Sequence, residues 1–444
     1  MNNTEPTISV GIYEGRPVAA GILTGLFSIN DSASARGEFR VEIQKDRLVM
    51  TDGSGKEIAQ SEEISCSPAA GGTFTLRDVV IGVQFHWERQ EDQIFEGKLR
   101  FLLRQDGTIT AINEISIEAY LKSVISSEMS AEAPIELLKA HAITSRSWLV
   151  AMLEREKKFK HVDTPSRRSR ETNDEIIRWY DREDHHDFDV CADDHCQRYQ
   201  GVSKMISPVA AQAVEETHGV FLVYNNAICD ARFSKACGGI SEAFENAWEE
   251  APVPYLRPIS DSSINHAWIA SEPQAEQWIL SSPEAYCNTT DGKILRQILP
   301  SFDQETTDFF RWKVDYRREE LEEILLAKAG INFGKLLDLI PVQRGPSGRI
   351  IKLKIIGSEK SIVVGKELEI RRWLSKSHLY SSAFVVRAER DKNGVPIRFS
   401  LHGAGWGHGV GLCQIGAAVM AIKGFQADEI VTHYFQNAEL RKLY

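Results

Sequence analysis

The hydrophobic period of this chain changes after residue 112, and that change limits the folds open to it. Between residues 7 and 112 apolar positions alternate or run in short blocks, as in Val41-Glu-Ile-Gln and Arg47-Leu-Val-Met. Turn signals follow at Asp52-Gly53 and Gly55, and Phe101-Leu-Leu-Arg-Gln-Asp-Gly107-Thr-Ile-Thr reads as a hairpin about Asp106-Gly107. Then Ile117, Tyr120, Leu121, Val124 and Ile125 recur at helical spacing. A break at Ser130-Ala-Glu-Ala-Pro134 places Pro134 where a first helical turn accepts it. A second stripe follows through Leu138, Ala142, Ser145, Leu149 and Met152. A period-two region feeding helical segments predicts an α+β fold. We divide it into a β-rich N-terminal region, 1–112, and a mixed helical and β core, 113–444. Glu128 falls at the junction of the two predicted helices.

Residues 153–187 are dense in charge of both signs, which predicts a solvated excursion. Strand patterns return at Gly219-Val-Phe-Leu-Val-Tyr224, at Ala231-Arg-Phe, over 350–364 and over 383–387. A mainly helical insertion is expected at about 263–340. A glycine-rich loop and two short helices close the chain.

With 52 Lys and Arg against 63 Asp and Glu, the formal charge is −11. General binding to nucleic acid or an anionic membrane needs a basic surface, so both are excluded as expectations. The first residues, Met1-Asn-Asn-Thr-Glu-Pro, show no basic and then apolar run of a signal peptide. The stretch from Pro17 to Ile29 is too short and too broken by Gly21, Thr24, Gly25 and Ser28 to span a bilayer. The compartment stays open between the cytoplasm and a leader removed before this numbering begins.

Three motifs carry the chemistry. The first is Glu118-Ala-Tyr-Leu-Lys-Ser-Val-Ile-Ser-Ser-Glu128-Met-Ser with Leu138-Lys-Ala-His-Ala-Ile-Thr-Ser-Arg146-Ser-Trp148. The second is Phe233-Ser-Lys235-Ala-Cys237-Gly238-Gly239-Ile-Ser-Glu242, followed by Trp248 and Tyr255. The third is Gly405-Trp406-Gly-His408-Gly-Val-Gly-Leu-Cys413-Gln-Ile-Gly416. In this order they resemble the SpoIID/LytB family, the stage II sporulation protein D type of peptidoglycan lytic transglycosylase. Phe95-Glu-Gly-Lys-Leu-Arg-Phe and, later, Ser347-Gly-Arg349, Leu368-Glu-Ile-Arg371 and Leu379-Tyr-Ser-Ser-Ala-Phe384 extend the resemblance over most of the chain.

The resemblance implies cleavage of MurNAc-β-1,4-GlcNAc bonds with 1,6-anhydroMurNAc ends, and it places the catalytic acid on Glu128. One carboxyl would act first as acid and then as base, whereas most glycoside hydrolases use two. The acid role needs a proton retained near neutral pH, which desolvation by Val124, Ile125 and Met129 could supply. The plain alternative is a Glu128 that caps or pairs at the junction. The resemblance also implies substrate contacts for Arg146, Phe233, Lys235, Gly238, Gly239, Trp406 and His408. Arg146 fits equally an ion pair between helices, and His408 fits a structural histidine that orients the Gly238-Gly239 loop. Glu118 and Glu242 are possible helpers and Glu136 suits a first helical turn. Cys237, Cys413 and His141 stand where the family often has serine, serine and glutamine. The partners implied are peptidoglycan glycan strands or muropeptide fragments, and an amidase if the chain is a non-catalytic amidase enhancer of the LytB type.

His185-His186-Asp-Phe-Asp-Val-Cys191-Ala-Asp-Asp-His195-Cys196 brings thiols and imidazoles into a dozen residues. Both are preferred zinc ligands, and four would make a closed structural site. The expected ligands of Zn2+ are His185, Cys191, His195 and Cys196, with His186 as substitute. A disulfide or unpaired cysteines are the alternatives, and zinc-dependent hydrolysis would need an open position on the metal.

Overall fold

The computed structural model describes residues 4–82, 88–130, 132–159, 169–178, 185–193, 195–204, 207–248, 250–299, 304 and 306–444. The fold is α+β with a β-rich N-terminus: among the described residues ten strands precede the first helix. Contacts divide the chain into two units. One comprises Met1–Ala142, Asp184–Val220 and Lys442–Tyr444, the other Ile143–Glu183 and Phe221–Arg441.

The first unit is built on an eleven-stranded sheet. Its main order runs Val190–Cys191, Thr7–Arg16, Ile109–Ser116, Lys98–Leu103, Glu63–Pro68, Val18–Ile29, Ala33–Gln44, Arg47–Asp52, Glu57–Ser61. The remaining hairpin, Thr73–Ile81 with Arg89–Glu96, pairs on Val18–Ile29. Alternation does what period two requires: Phe39 and Val41, Ile64 and Cys66, and Leu99 and Phe101 all point into the core, each at most 3% exposed. The Asp106-Gly107 turn joins two antiparallel strands as expected. The apolar stretch near the N-terminus is the strand Val18–Ile29. No helix among the described residues is long and apolar enough to cross a membrane.

Helix α1, Ile117–Glu128, starts where the Ser116 side chain accepts the Ala119 amide (3.4 Å). Ile117, Tyr120, Leu121, Val124 and Ile125 form its buried stripe, all 0% exposed. It ends because Met129 turns to extended backbone, with φ −126° and ψ 161°. Helix α2, Ile135–Phe159, follows. From Ala140 to Leu149 every residue of α2 is buried, including His141, Thr144, Ser145, Arg146 and Ser147. Buried polar groups must be paired. Ser147, for example, donates to the Ile143 carbonyl (2.7 Å) and accepts the Leu222 amide (2.9 Å).

The second unit holds a five-stranded sheet, in order Arg170–Glu171, Glu175–Ile177, Ser361–Gly365, Ile350–Gly357, Leu336–Arg344. A three-stranded sheet comprises Arg311–Arg317, Pro396–Ala404 and Phe384–Arg390. Two expectations change here. Part of the charged stretch is not a solvated excursion, because Ile176 and Ile177 are buried and draw Glu175–Ile177 in parallel against Ser361–Gly365. Residues 160–168 and 179–184 of that stretch lie outside the described residues. The 263–340 segment is not mainly helical: helices Glu272–Leu280, Gly292–Ile298 and Arg318–Ala329 are interleaved with strands Arg311–Arg317 and Leu336–Arg344.

Candidate functional site

Glu128 is the last residue of α1 and is half-buried. Its flanking Val124, Ile125 and Met129 are completely buried. Its Oε1 accepts the backbone amide of Arg198 (3.1 Å). The segment that brings Arg198 there is laid along α1. Tyr199 stacks on Tyr120 with ring centroids 5.0 Å apart, the Gln200 amide donates to Ser123 Oγ (3.1 Å), and Arg198 Nη1 reaches the Ser127 carbonyl (3.5 Å). Such an aromatic pair adds about 0.5–1.5 kcal/mol beyond its area burial. The other acids of the motif have structural partners. Glu118 accepts the Gly219 amide (3.2 Å) and the Tyr444 hydroxyl (2.7 Å), and Glu136 pairs with Lys139 (2.9 Å).

The His–Cys segment lies directly before Arg198. His185, Cys191, His195 and Cys196 bring one donor atom each to within 4.8 Å of one another. His185 Nε2 is 3.4 Å from Cys196 Sγ, and His195 Nδ1 is 3.5 Å from Cys196 Sγ and 3.9 Å from Cys191 Sγ. The hydrogen bond from Cys196 holds the Cys191 thiol well below its usual range, with His185 and His195 contributing. His186, the substitute ligand, instead points its Nδ1 at Asp187 (2.9 Å) and is not in the cluster. The sheet anchors the group: Val190–Cys191 pairs with Val10 and Gly11, and Asp189 accepts both the amide and the hydroxyl of Ser9 (2.8 Å each). A Cβ on Gly11 would sit 2.4 Å from the Phe188 ring, so only glycine lets this segment dock.

The second and third motifs meet within the other unit. Phe233 and Ser234 pair in parallel with Leu412 and Cys413, and Ala236 exchanges hydrogen bonds with Trp406 (2.7 and 3.0 Å). Phe233 and Lys235 face one way and stay half-exposed, whereas Ser234 and Ala236 are buried. Gly238 and Gly239 are buried at φ +84° and +103°, the left-handed region that favours glycine. Trp406 is partly exposed and rests against Tyr380 and Phe309, at centroid distances of 4.1 and 4.8 Å. Arg146 is fully buried within α2.

His408 accepts the Val410 amide on Nδ1 (3.0 Å), bonds to the backbone of Phe233, and lies 4.4 Å from the Trp248 ring. Burial, followed by the positive charges of Arg232, Arg349 and Arg371, holds its pKa well below the ordinary value. The sign follows from linkage. A depressed histidine contributes stability that is complete above its unfolded pKa of about 6.5 and is lost as pH falls. The stability advantage of the wild type over H408N should therefore shrink between pH 7 and pH 5, as read from urea unfolding at each pH. An advantage that is constant over that range would mean His408 carries no such burden.

Sequence reasoning gave Arg349 no role beyond its place in a motif, yet it is the hub of this junction. It is 1% exposed and donates to the carbonyls of Cys237 (3.0 Å) and Gly407 (3.0 Å) and to Ser347 Oγ (3.1 Å). Ser347 in turn donates to Glu242 (2.5 Å), whose amide donates to Gly409 O (2.8 Å). Burial pushes the Glu242 carboxyl up, opposed by hydrogen bonds from Ser347, Asn246 and the Ala243 amide and by the Arg349 charge. A Cβ on Gly409 would lie 2.3 Å from the guanidinium carbon, so the glycine signal at 409 marked the Arg349 cavity. The Arg198 amide left no comparable signal, because any residue type supplies a backbone N–H.

Residues 105–224, which contain α1, Glu128, α2 and the His–Cys cluster, match the Stage II sporulation protein family, SpoIID. Residues 242–411 match a domain of unknown function, DUF8618. The chain is 24% identical over 330 residues to the Stage II sporulation protein D of Bacillus amyloliquefaciens, covering 74% of this chain and 75% of that protein. It is 24% identical over 336 residues to the same-named protein of Bacillus subtilis, covering 74% and 76%. An amidase enhancer of Bacillus subtilis is 23% identical over 246 residues, 52% of this chain and 32% of that protein. The chain thus carries a SpoIID domain match over residues 105–224 and is similar, over about three quarters of its length, to proteins named Stage II sporulation protein D.

Proposed function

We propose that this chain works on the cell wall as a peptidoglycan lytic transglycosylase, cleaving MurNAc-β-1,4-GlcNAc bonds of glycan strands. The observation that carries the reading is Glu128: a half-buried carboxyl at a helix junction, with one oxygen held by the Arg198 amide and apolar neighbours behind it. Protonated Glu128 donates to the glycosidic oxygen as the C1–O bond breaks and the GlcNAc side departs. The resulting carboxylate takes the proton of the C6 hydroxyl of the same MurNAc, and O6 closes on C1. The proton returns to Glu128, the product is a 1,6-anhydro ring, and no water is consumed. Phe233 and Lys235, on the half-exposed face of their strand, and Trp406 are the side chains we assign to sugar contacts.

His185, Cys191, His195 and Cys196 would hold a structural zinc ion. Two thiols and two imidazoles are a closed tetrahedral donor set, which leaves no open position for hydrolysis. When bound, the ion supplies a cross-link between the sheet edge and the segment that ends at Arg198. Cys196→Ser should remove one zinc per chain and lower turnover through loss of the Arg198 amide from Glu128. Elemental analysis of protein purified without chelator checks this, and metal-free wild type would remove the site.

The test of the reaction is product mass. Glycan strands stripped of stem peptides should yield anhydro ends, and reducing ends would mean hydrolysis. The similarity to an amidase enhancer favours a second reading, glycan binding that stimulates a partner amidase. Binding without any product would select it.

A further inference from the structure

A second group of metal-ligating side chains lies in the other unit, made of residues unrelated to the first cluster. Cys237, Asp261, Cys287 and Cys413 are each at most 2% exposed, and their donor atoms all lie within 4.8 Å of one another. They come from four separate stretches of chain. Cys237 follows the strand Phe233–Ser234, and Cys413 is the N-cap of the helix Gln414–Ile422. Cys237 Sγ and Cys287 Sγ are 3.7 Å apart. With zinc–sulfur bonds of about 2.3 Å, the edge of a tetrahedron is about 3.8 Å. A disulfide needs sulfurs about 2.05 Å apart, and all three thiols here are free.

The surroundings are those of a ligand set already oriented. Asp261 accepts the Tyr434 hydroxyl on Oδ1 (2.6 Å) and the Cys287 amide on Oδ2 (2.9 Å), two donors that fix the orientation of its buried carboxyl group. The Cys237 amide donates to Cys413 Sγ (3.2 Å) and the Gly239 amide to Cys237 Sγ (3.4 Å). Arg311 lies beside the cluster and donates to the carbonyls of Gly238 and Trp278. A Cβ on Gly416 would lie 2.2 Å from Asp261 Oδ1 and 2.4 Å from the Tyr434 hydroxyl, so the helix must present glycine for the carboxylate to fit.

We propose that Cys237, Asp261, Cys287 and Cys413 form a second zinc site of the tetrahedral Cys3Asp type, which ties the second motif to the helix start within the third. Three soft sulfurs select zinc over magnesium or calcium. Four protein ligands in a site closed to solvent make it structural and leave no position for substrate.

The experiment counts zinc by native mass spectrometry and elemental analysis of full-length protein purified without chelator. In the C191S/C196S variant, which disables the first cluster, one zinc per chain should remain. Adding C287S should reduce it to none. Asp261→Asn, which keeps the shape of the site, should weaken zinc retention at least tenfold in competition with a chromophoric chelator. Cobalt in place of zinc in C191S/C196S should give sulfur-to-metal charge-transfer bands and strong four-coordinate visible bands. No zinc in C191S/C196S, a zinc count unchanged by C287S, or a Cys237–Cys287 disulfide in the non-reduced peptide map would each overturn the site. None of these readouts depends on whether Glu128 is catalytic.

Discussion

The E128Q variant should fold like the wild type, bind stripped glycan strands, and release 1,6-anhydroMurNAc-ended saccharides about 10³-fold more slowly. Glutamine keeps the shape of the side chain and an oxygen able to accept the Arg198 amide, so the packing about α1 is retained. What it loses is the exchangeable proton. In the proposed reaction the same carboxyl gives a proton to the leaving oxygen and takes one from the C6 hydroxyl, so both halves fail together. General acid–base catalysis is worth about 10²–10⁴-fold, and one group serving both roles belongs toward the upper part of that range. The measurement is initial rate by mass spectrometry, with binding followed separately. Turnover equal to the wild type would remove Glu128 from the mechanism.

The second large effect concerns stability. R349A should lower the unfolding free energy by about 3 kcal/mol or more, since hydrogen bonds to a charged group contribute about 1.5–3 kcal/mol and a buried acceptor left unsatisfied costs about 1–3 kcal/mol. Three losses combine. The carbonyls of Cys237 and Gly407 lose their donor, Glu242 keeps its buried position without the guanidinium charge, and a cavity opens beside Gly409. Leaving a buried acceptor unmade costs more than the bond itself was worth. The urea midpoint would report this. The double variant E242Q/R349M should lose less than the sum of its parts, because removing both charges leaves neither unpaired. Additive losses would mean that Arg349 and Glu242 act independently.

Much of the local structure was legible because it depends on short-range periodicity. The strands from Thr7 to Ser116, the α1 stripe and its end at Glu128 follow from residues a few positions apart. The first His–Cys group was legible for the same reason, since its four side chains lie within a dozen residues. The 263–340 segment was misjudged because the strands Arg311–Arg317 and Leu336–Arg344 take their stability from partners far along the chain. The burial of Ile176 and Ile177 likewise depends on Ser361–Gly365, and charged neighbours disguised it. Arg349 was passed over because nothing nearby in sequence marks a guanidinium that caps carbonyls more than fifty residues away in both directions.

The sequence by itself determined the period change after residue 112, the placing of Glu128 at a helix end, and one compact group of His and Cys side chains. Only the tertiary structure decided that Arg198 holds Glu128 by a backbone amide, that Arg349 joins the two glycine-rich motifs, and that four distant residues, Cys237, Asp261, Cys287 and Cys413, converge. The physical reason is separation along the chain. Periodicity and capping act within a few turns and are written in neighbouring residues. A buried charge or thiol chooses its partners only after the backbone has closed around it, and that closure is the property of the whole fold.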